Sequence, residues 1–205
     1  MIISILNCDS KWGIGKKNGL LFSLPLDMKF FRETTRGHTV CMGENTLLSF
    51  PGSKPLKNRI NIVLSQDPTH NYDGVVNVHT FDDFLKEIKK ASLQDDVYII
   101  GGASIYRQTL PYVDKVLLTK VHKDGGAEVF FVNLDEHPDF EMVEAGPIVK
   151  DGEIDIQFMT YINKNKQEIL GDKVLKAVEE AEQISQSDSS QGYKDIESLK
   201  KALDK

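Results

Sequence analysis

A carboxylate set among apolar side chains at the start of a helix is costly to keep, and Asp27 occupies such a place in Leu24-Pro25-Leu26-Asp27-Met28-Lys29-Phe30-Phe31. Pro25 suits the first helical position, where its missing N–H costs nothing, so Asp27 falls in the first turn. Phe30 and Phe31 follow three and four residues on and share its face. Burial raises the pKa of a carboxyl so placed, while the helix N-terminus and any cation bound against it lower it, which leaves the net direction open. Such a group can hold a nitrogen-rich, cationic heterocycle.

Three glycine-bearing stretches could serve the same ligand or a companion. The segment from Trp12 to Phe22 holds three glycines, is too irregular for helix or strand, and runs straight into the acidic helix. It reads either as a mobile lid or as a turn-rich connection. Ile99-Ile100-Gly101-Gly102-Ala103-Ser104-Ile105-Tyr106 is a buried-type strand running into two glycines and a helix start. Backbone can approach a phosphate there, although a Gly-Gly turn serves packing at least as often. Val40-Cys41-Met42-Gly43-Glu44-Asn45-Thr46 repeats strand, glycine and helix start, and two such turns suit the separated phosphates of a dinucleotide.

The elements that must position these residues alternate. The apolar opening, Met1 to Leu6, is too short for a membrane span, lacks the basic start of a signal peptide, and reads as a strand. Further strands are expected over Val40 to Met42, Arg59 to Ser65, Val75 to His79, Val97 to Ile100, Lys115 to Val121, Phe140 to Ala145 and Ile154 to Ile162. Helices are expected to open at Pro25, Thr46, Thr80 and Ala103, and Thr80 with Asp83 reads as a capping box ahead of the stripe Phe81, Phe84, Leu85 and Ile88. Strands separated by single helices imply a mostly parallel sheet. The last strands, joined by short connections such as Lys150-Asp151-Gly152, should finish it as an antiparallel hairpin.

At 205 residues and 40% hydrophobic content the chain can bury one full core with an appendage. A net charge of −6 with scattered Lys and Arg gives no basic face for nucleic acid, and an anionic ligand needs a local cation. Cys8 and Cys41 lack ligand spacing, so neither a metal site nor a disulfide framework is expected, and both read as buried thiols of a reducing cytoplasm. After residue 164 the composition shifts: in 165–205 Tyr193 is the lone aromatic and charges crowd in. Leu170, Val174, Val178 and Ala181, and again Tyr193, Ile196, Leu199 and Leu203, recur at helical spacing. The extension reads either as short amphipathic helices that dock on the main domain or on a partner, or as a solvating tail.

Together these residues resemble the dihydrofolate reductase family, nearly collinearly from Met1 to about Asn163. The match rests on Gly13-Ile14-Gly15 followed by Asn18, Leu24-Pro25 with Asp27 and Phe31, Met42-Gly43 with Thr46, Lys57-Asn58-Arg59-Ile60-Asn61-Ile62-Val63-Leu64-Ser65, and Ile100-Gly101-Gly102 with Tyr106. The resemblance implies a central eight-stranded, mixed but mostly parallel sheet flanked by about four helices. It also implies the reduction of 7,8-dihydrofolate to tetrahydrofolate by hydride transfer from NADPH, in a cytoplasmic monomer acting in one-carbon metabolism.

Carried over by position, Asp27 resembles the acid that hydrogen-bonds the pterin and favours protonation at N5 through water, with Thr119 bracing it. Arg59 resembles the clamp on the substrate's glutamate, a role suited to a guanidinium, which forks onto a carboxylate. Leu6, Met28, Phe31, Phe50, Leu56 and Ile100 resemble the apolar walls of the pocket. On the cofactor side, Ile14, Gly15, Asn18 and Leu20 resemble the lid contacts, with Asn7 beneath them and Phe22 at the catalytic end. Gly43, Glu44, Asn45 and Thr46 stand at one phosphate turn; Gly101, Gly102, Ala103, Ser104 and Ile105 stand at the other, with Tyr106 toward the nicotinamide. Leu64, Ser65, Gln66 and His79 correspond to the adenosine end.

Two departures bear on this expectation. Leu21-Phe22 replaces the family's usual Pro-Trp and removes an indole N–H that organises water near the pterin. Where basic side chains usually meet the adenosine 2′-phosphate, the chain has Glu44, Asn45, Gln66 and Ser104, which implies a weakened preference for NADPH over NADH unless His79 or a lysine from elsewhere compensates. Two other readings stand beside the first. A same-fold pyrimidine reductase of riboflavin synthesis needs no carboxylate under a pterin, so Asp27, Phe31 and Arg59 speak against it. A non-enzymatic descendant would use the fold and tail to bind a partner.

Overall fold

The computed structural model describes residues 1–16 and 19–169, so Asn18 and the helices expected from Leu170 onward lie outside the described residues. Met1–Gln167 is one compact unit, and Glu168–Lys205 is counted as a second. In the first unit the sheet is built from β1 (Ile2–Cys8), β3 (Thr39–Gly43), β4 (Ile60–Leu64), β5 (Val76–Val78), β6 (Val97–Ile99) and β7 (Lys115–Val121), all parallel. It ends with β11 (Ile154–Asn163), antiparallel to β7. β9 (Phe140–Ala145) and β10 (Val149–Asp151) both pair with β11, over Met159 to Asn163 and Ile154 to Ile156 respectively. Because β7 holds the other edge of β11, these two lie end to end on its outer edge, and nine strands fill eight ranks in the order β10-β11-β7-β1-β6-β3-β4-β5.

Four helices complete the fold: α1 (Pro25–Thr35), α2 (Glu44–Ser49), α3 (Phe81–Ser92) and α4 (Ala103–Thr109). The Thr80 hydroxyl caps α3, accepting from Asp83 N at 3.1 Å and donating to Asp83 Oδ2 at 2.7 Å. α2 begins at Glu44, ahead of the expected Thr46, because Gly43 already turns the chain out of β3. Lys150 and Asp151, expected in a connection, instead lie in β10, and the turn is made at Gly152, whose φ is +62°. Asp151-Gly152 is a turn-forming pair, so this short strand reads as a connection in the sequence.

One face of the sheet buries Ile3, Ile5, Val40, Met42, Val63, Tyr98 and Ile100 with Leu47, and Phe30, Phe31, Phe50 and Leu56 pack over them. Each fully buried side chain of this kind contributes roughly 1.5–3 kcal/mol. Alternation along β1 puts Ile3, Ile5 and Asn7 on this face and Ser4 and Leu6 on the other. The carboxyl ends of the parallel strands meet at one rim, where open α/β sheets place their ligands.

The segment that leads into α1 is tied at its root. β2 (Gly13–Gly15) pairs with β8 (Val129–Phe130), and Glu128 N donates to Gly15 O at 3.0 Å. Buried Asp9 accepts from Lys11 N and Gly13 N through Oδ1, at 2.8 and 2.7 Å, and from Gly125 N through Oδ2 at 3.1 Å. A Cβ on Gly13 would stand 2.2 Å from Ala127 Cβ and 2.8 Å from Asp9 Oδ2. Gly13→Ala is therefore expected to destabilise the fold by about 1–3 kcal/mol, read as a lower urea midpoint with an unchanged slope.

Candidate active site

α1 delivers Asp27 to the sheet face that carries Asn7 and Thr119, which are register partners on β1 and β7. The Asp27 side chain is buried, and its Oδ2 accepts from Asn7 Nδ2 at 2.7 Å. Thr119 lies near enough to pull the carboxyl's pKa down, yet its own Oγ1 is buried without a hydrogen-bond partner. Burial dominates and pushes Asp27 above the ordinary carboxylate value; Thr119 and Asn7 pull it back, and the charge of Asp151 adds to the upward push. The direction that the sequence left open is thus upward. A polar pair of this kind, one acceptor and one orphaned hydroxyl in a buried place, fits a ligand that brings its own N–H groups.

The first turn of α1 has its own support. Leu26 N and Asp27 N donate to Oδ2 of buried Asp151 at 2.8 and 3.2 Å. Neither Asp151 nor Asn7 as a partner of Asp27 was foreseen. For Asn7 a signal existed, an amide interrupting an apolar strand; for Asp151, 124 residues away from Asp27, none did.

Phe31, Phe50, Leu56 and Ile100 share the apolar cluster beside Asp27, while Met28 on α1 is 46% exposed. Leu6 does not join them with its side chain: paired with Leu118, it points to the opposite face of the sheet from Asn7 and Thr119. Phe22 packs with Leu24, Val121 and Ile156, leaning on Gly125, and Leu20 in the same segment is exposed. Ile14 and Gly15 are half-buried at the tied root. Arg59 donates through NH1 to Thr35 Oγ1 at 2.7 Å and through Nε to Lys57 O at 3.2 Å, with its guanidinium 6.0 Å from the Phe31 ring centre. Desolvation and the neighbouring Arg32 and Arg36 lower its pKa, and among the described residues no carboxylate pairs with it.

The two glycine turns lie side by side. Gly43 N donates to Gly101 O at 2.8 Å, and a Cβ on Gly102 would stand 3.4 Å from Thr46 Oγ1. Gly101 has φ +106°, and a Cβ there would come within 2.9 Å of the Tyr106 ring, so this turn requires the bare backbone; a Cβ on Gly43 would press on Ile105 Cγ1 at 3.0 Å. Such a cradle, with the first amides of α2 (Glu44, Asn45, Thr46) and of α4 (Ala103, Ser104, Ile105) opening beside it, fits a dinucleotide. Buried Tyr106 donates to Ile5 O at 2.8 Å, and its phenol pKa is pushed far up by burial.

Further along the rim, Leu64 and Ser65 are buried, Gln66 and Ser104 are exposed, and His79 meets Ser65 O through Nδ1 at 3.1 Å. Glu44 is engaged by two residues that sequence reasoning passed over. Tyr72 OH donates to Glu44 Oε1, and His70 Nδ1 lies 2.7 Å from the same oxygen. A carboxylate only accepts, so His70 carries its proton on Nδ1. These bonds, Tyr72 first, hold the Glu44 pKa below its ordinary value. Burial pushes the Cys8 thiol up to about 12 and Cys41 well upward, and both are free thiols. Among the described residues no cluster could hold a metal ion, and no helix is long and apolar enough to cross a membrane.

The family model described as "Dihydrofolate reductase" matches residues 1–188. The dihydrofolate reductase of Bacillus subtilis is 32% identical over 173 residues, covering 83% of this chain and 99% of that protein. That of Haemophilus influenzae is 31% identical over 152 residues, covering 74% of this chain and 91% of its own length. Among solved structures, dihydrofolate reductase from Enterococcus faecalis complexed with NADP(H) and RAB-propyl superposes with a TM-score of 0.71 at 28% identity, covering 80% of this chain and 96% of that one. Sheet order, the buried acid of α1 and these likenesses agree, and the chain belongs to the dihydrofolate reductase family.

Proposed function

We propose that the chain reduces 7,8-dihydrofolate to 5,6,7,8-tetrahydrofolate with NADPH, the reaction of its family, and that Asp27 is the group that binds the pterin and raises its proton affinity. The observation that carries this reading is the buried Asp27 carboxyl beside the partnerless Thr119 hydroxyl. Asn7 occupies Asp27 Oδ2, which leaves the rest of the carboxyl and Thr119 to receive ring N–H groups. Bound NADPH supplies the hydride. The protein orients the ring: Phe31, Phe50, Leu56 and Ile100 form the apolar floor and exclude water, and Arg59 takes the glutamate carboxylate. With a pKa raised by burial, Asp27 exchanges protons with water at a pH closer to neutral than an exposed aspartate would, which suits delivery toward N5. Mixing the protein with dihydrofolate and NADPH and following the loss of reduced-cofactor absorbance tests the activity; no decay with either NADPH or NADH would overturn it.

Residues 1–164 act as the catalytic domain, with 165–205 as an extension. The chain works as a monomer in the cytoplasm, a setting that matches its two buried free thiols. At the adenosine end, Glu44, held by Tyr72 and His70, is a better acceptor for a ribose hydroxyl than a neighbour for a phosphate dianion. NADPH is accordingly expected to be preferred over NADH by less than about a hundredfold in kcat/KM. Glu44→Arg should raise NADPH affinity by about tenfold or more and weaken NADH severalfold by removing the ribose acceptor, as measured by direct binding of each cofactor. A larger native preference would refute this assignment of Glu44.

A further inference from the structure

The start of α1 lacks a cap of its own, and a distant residue supplies one. Leu24 at the N-cap offers no side-chain acceptor, Pro25 has no N–H, and Met28 N already donates to Leu24 O at 2.9 Å. The two amides left over, those of Leu26 and Asp27, are the two that Asp151 takes. Asp151 is 4% exposed, and its neighbour Lys150 turns to Asp155 at 2.9 Å. What faces the Asp151 carboxylate is the positive end of α1. An asparagine could accept both amide bonds, though without the charge that the helix N-terminus favours. That charge sits one turn from the carboxyl on which the proposed mechanism turns. Around Asp27, Asn7 from β1, Thr119 from β7 and Tyr106 from α4 are uncharged at neutral pH, and Asp151 from β10 is the one charge named among the described residues that bears on it.

We propose that Asp151 is a positioning residue for the reduction: it anchors the first turn of α1 so that Asp27 meets Asn7 and Thr119, and it sets a negative charge against the turn that carries Asp27. The inference rests on the reading of Asp27 given above. A like charge nearby disfavours ionisation, which agrees with the upward push already noted. The arrangement also explains why β10 persists as a short strand after the break at Gly146, Pro147 and Ile148: its pairing with β11, Asp151 opposite Ile154, fixes the carboxylate under the helix.

Two variants separate anchoring from charge. Asp151→Asn keeps an acceptor and removes the charge; Asp151→Ala removes both. The reading is the single-turnover rate of cofactor oxidation against pH, together with the dissociation constant for dihydrofolate and the melting temperature. In Asp151→Asn the midpoint of the pH profile is expected to move downward by several tenths of a unit, with dihydrofolate affinity held within about twofold. In Asp151→Ala the affinity should also weaken, by about fivefold or more, because the turn that aims Asp27 loses its anchor. An Asp151→Asn protein that melts normally and keeps the native midpoint overturns the charge role. An Asp151→Ala protein with native affinity and native profile overturns the proposal entirely. Asp27→Asn run alongside keeps the two readings apart. If the pH midpoint survives in Asp27→Asn, the role of Asp27 fails and this proposal falls with it; if the midpoint disappears there but stays put in Asp151→Asn, the present inference alone fails.

Discussion

Replacing Asp27 with asparagine is expected to lower turnover at pH 7 by about two orders of magnitude or more while raising the melting temperature. The two effects share one cause. Asparagine preserves the shape of the side chain and an oxygen for Asn7 Nδ2, so the pocket and the fold persist. It carries no exchangeable acid proton, so protonation must come from solvent, and the lost rate should recover in part as pH falls. For stability the sign follows from the raised pKa of Asp27 in the folded chain. Its favourable contribution is fully present below the unfolded value of about 3.9 and is lost as pH rises through the folded value. Above the folded value the native protein carries a buried ionised carboxylate, disfavoured by desolvation, that the variant lacks. The melting temperature of Asp27→Asn should exceed that of the native chain at pH 7, and the gap should close toward pH 4. A variant with unchanged turnover would remove Asp27 from the mechanism; one less stable at pH 7 than at pH 4 relative to the native chain would reverse the assigned sign.

Arg59→Ala is expected to raise the KM for dihydrofolate by about a hundredfold or more with a much smaller change in kcat. A guanidinium that receives a carboxylate makes two charge-assisted bonds, each contributing about 1.5–3 kcal/mol, and every 1.4 kcal/mol is about tenfold in affinity. Arg59 is already fixed by Thr35 Oγ1 and Lys57 O, so little order is lost when a ligand arrives. Arg32 and Arg36 nearby leave the patch short of negative charge, a deficit that the substrate's glutamate would fill. Arg59→Lys should recover little, because a point charge cannot reproduce the fork. Steady-state kinetics with dihydrofolate and with a pterin lacking the glutamate would check the assignment: the loss should vanish for the truncated substrate.

Long, periodic or capped segments were legible in the sequence. Phe140 to Ala145 and Lys115 to Val121 fold as strands with the expected bounds, and Pro25 and Thr80 mark the starts of α1 and α3 as their chemistry requires. The short β5 and β6 were legible too, because Val and Ile crowd there, but the Gly13–Gly15 strand was not, since it pairs with Val129–Phe130 across more than a hundred residues and neither piece has a period to read. The site divides in the same way. Asp27 announced itself by being polar in apolar company, whereas the partners that set its behaviour, Asn7 and Asp151, meet it only through the sheet register and the β10 turn. Leu6 matched the resemblance by position but faces the other side, because a strand's alternation assigns faces more strictly than a motif does. His70 and Tyr72 escaped notice for a plainer reason: they reach Glu44 from a connection between β4 and β5 whose path no local pattern dictates.

β6 is three residues long and stands between β1 and β3, with Tyr98 opposite both Ile3 and Val40. During synthesis, the opening strand therefore emerges long before the piece that joins it to the β3-β4-β5 half. A ribosome-bound fragment halted ahead of Val97 would leave β1 bare on both edges, since β7 is also still to come, and β3 bare on one. Chaperone demand is expected to peak on nascent chains stalled in that window and to fall once the β6 and β7 segments have cleared the exit tunnel.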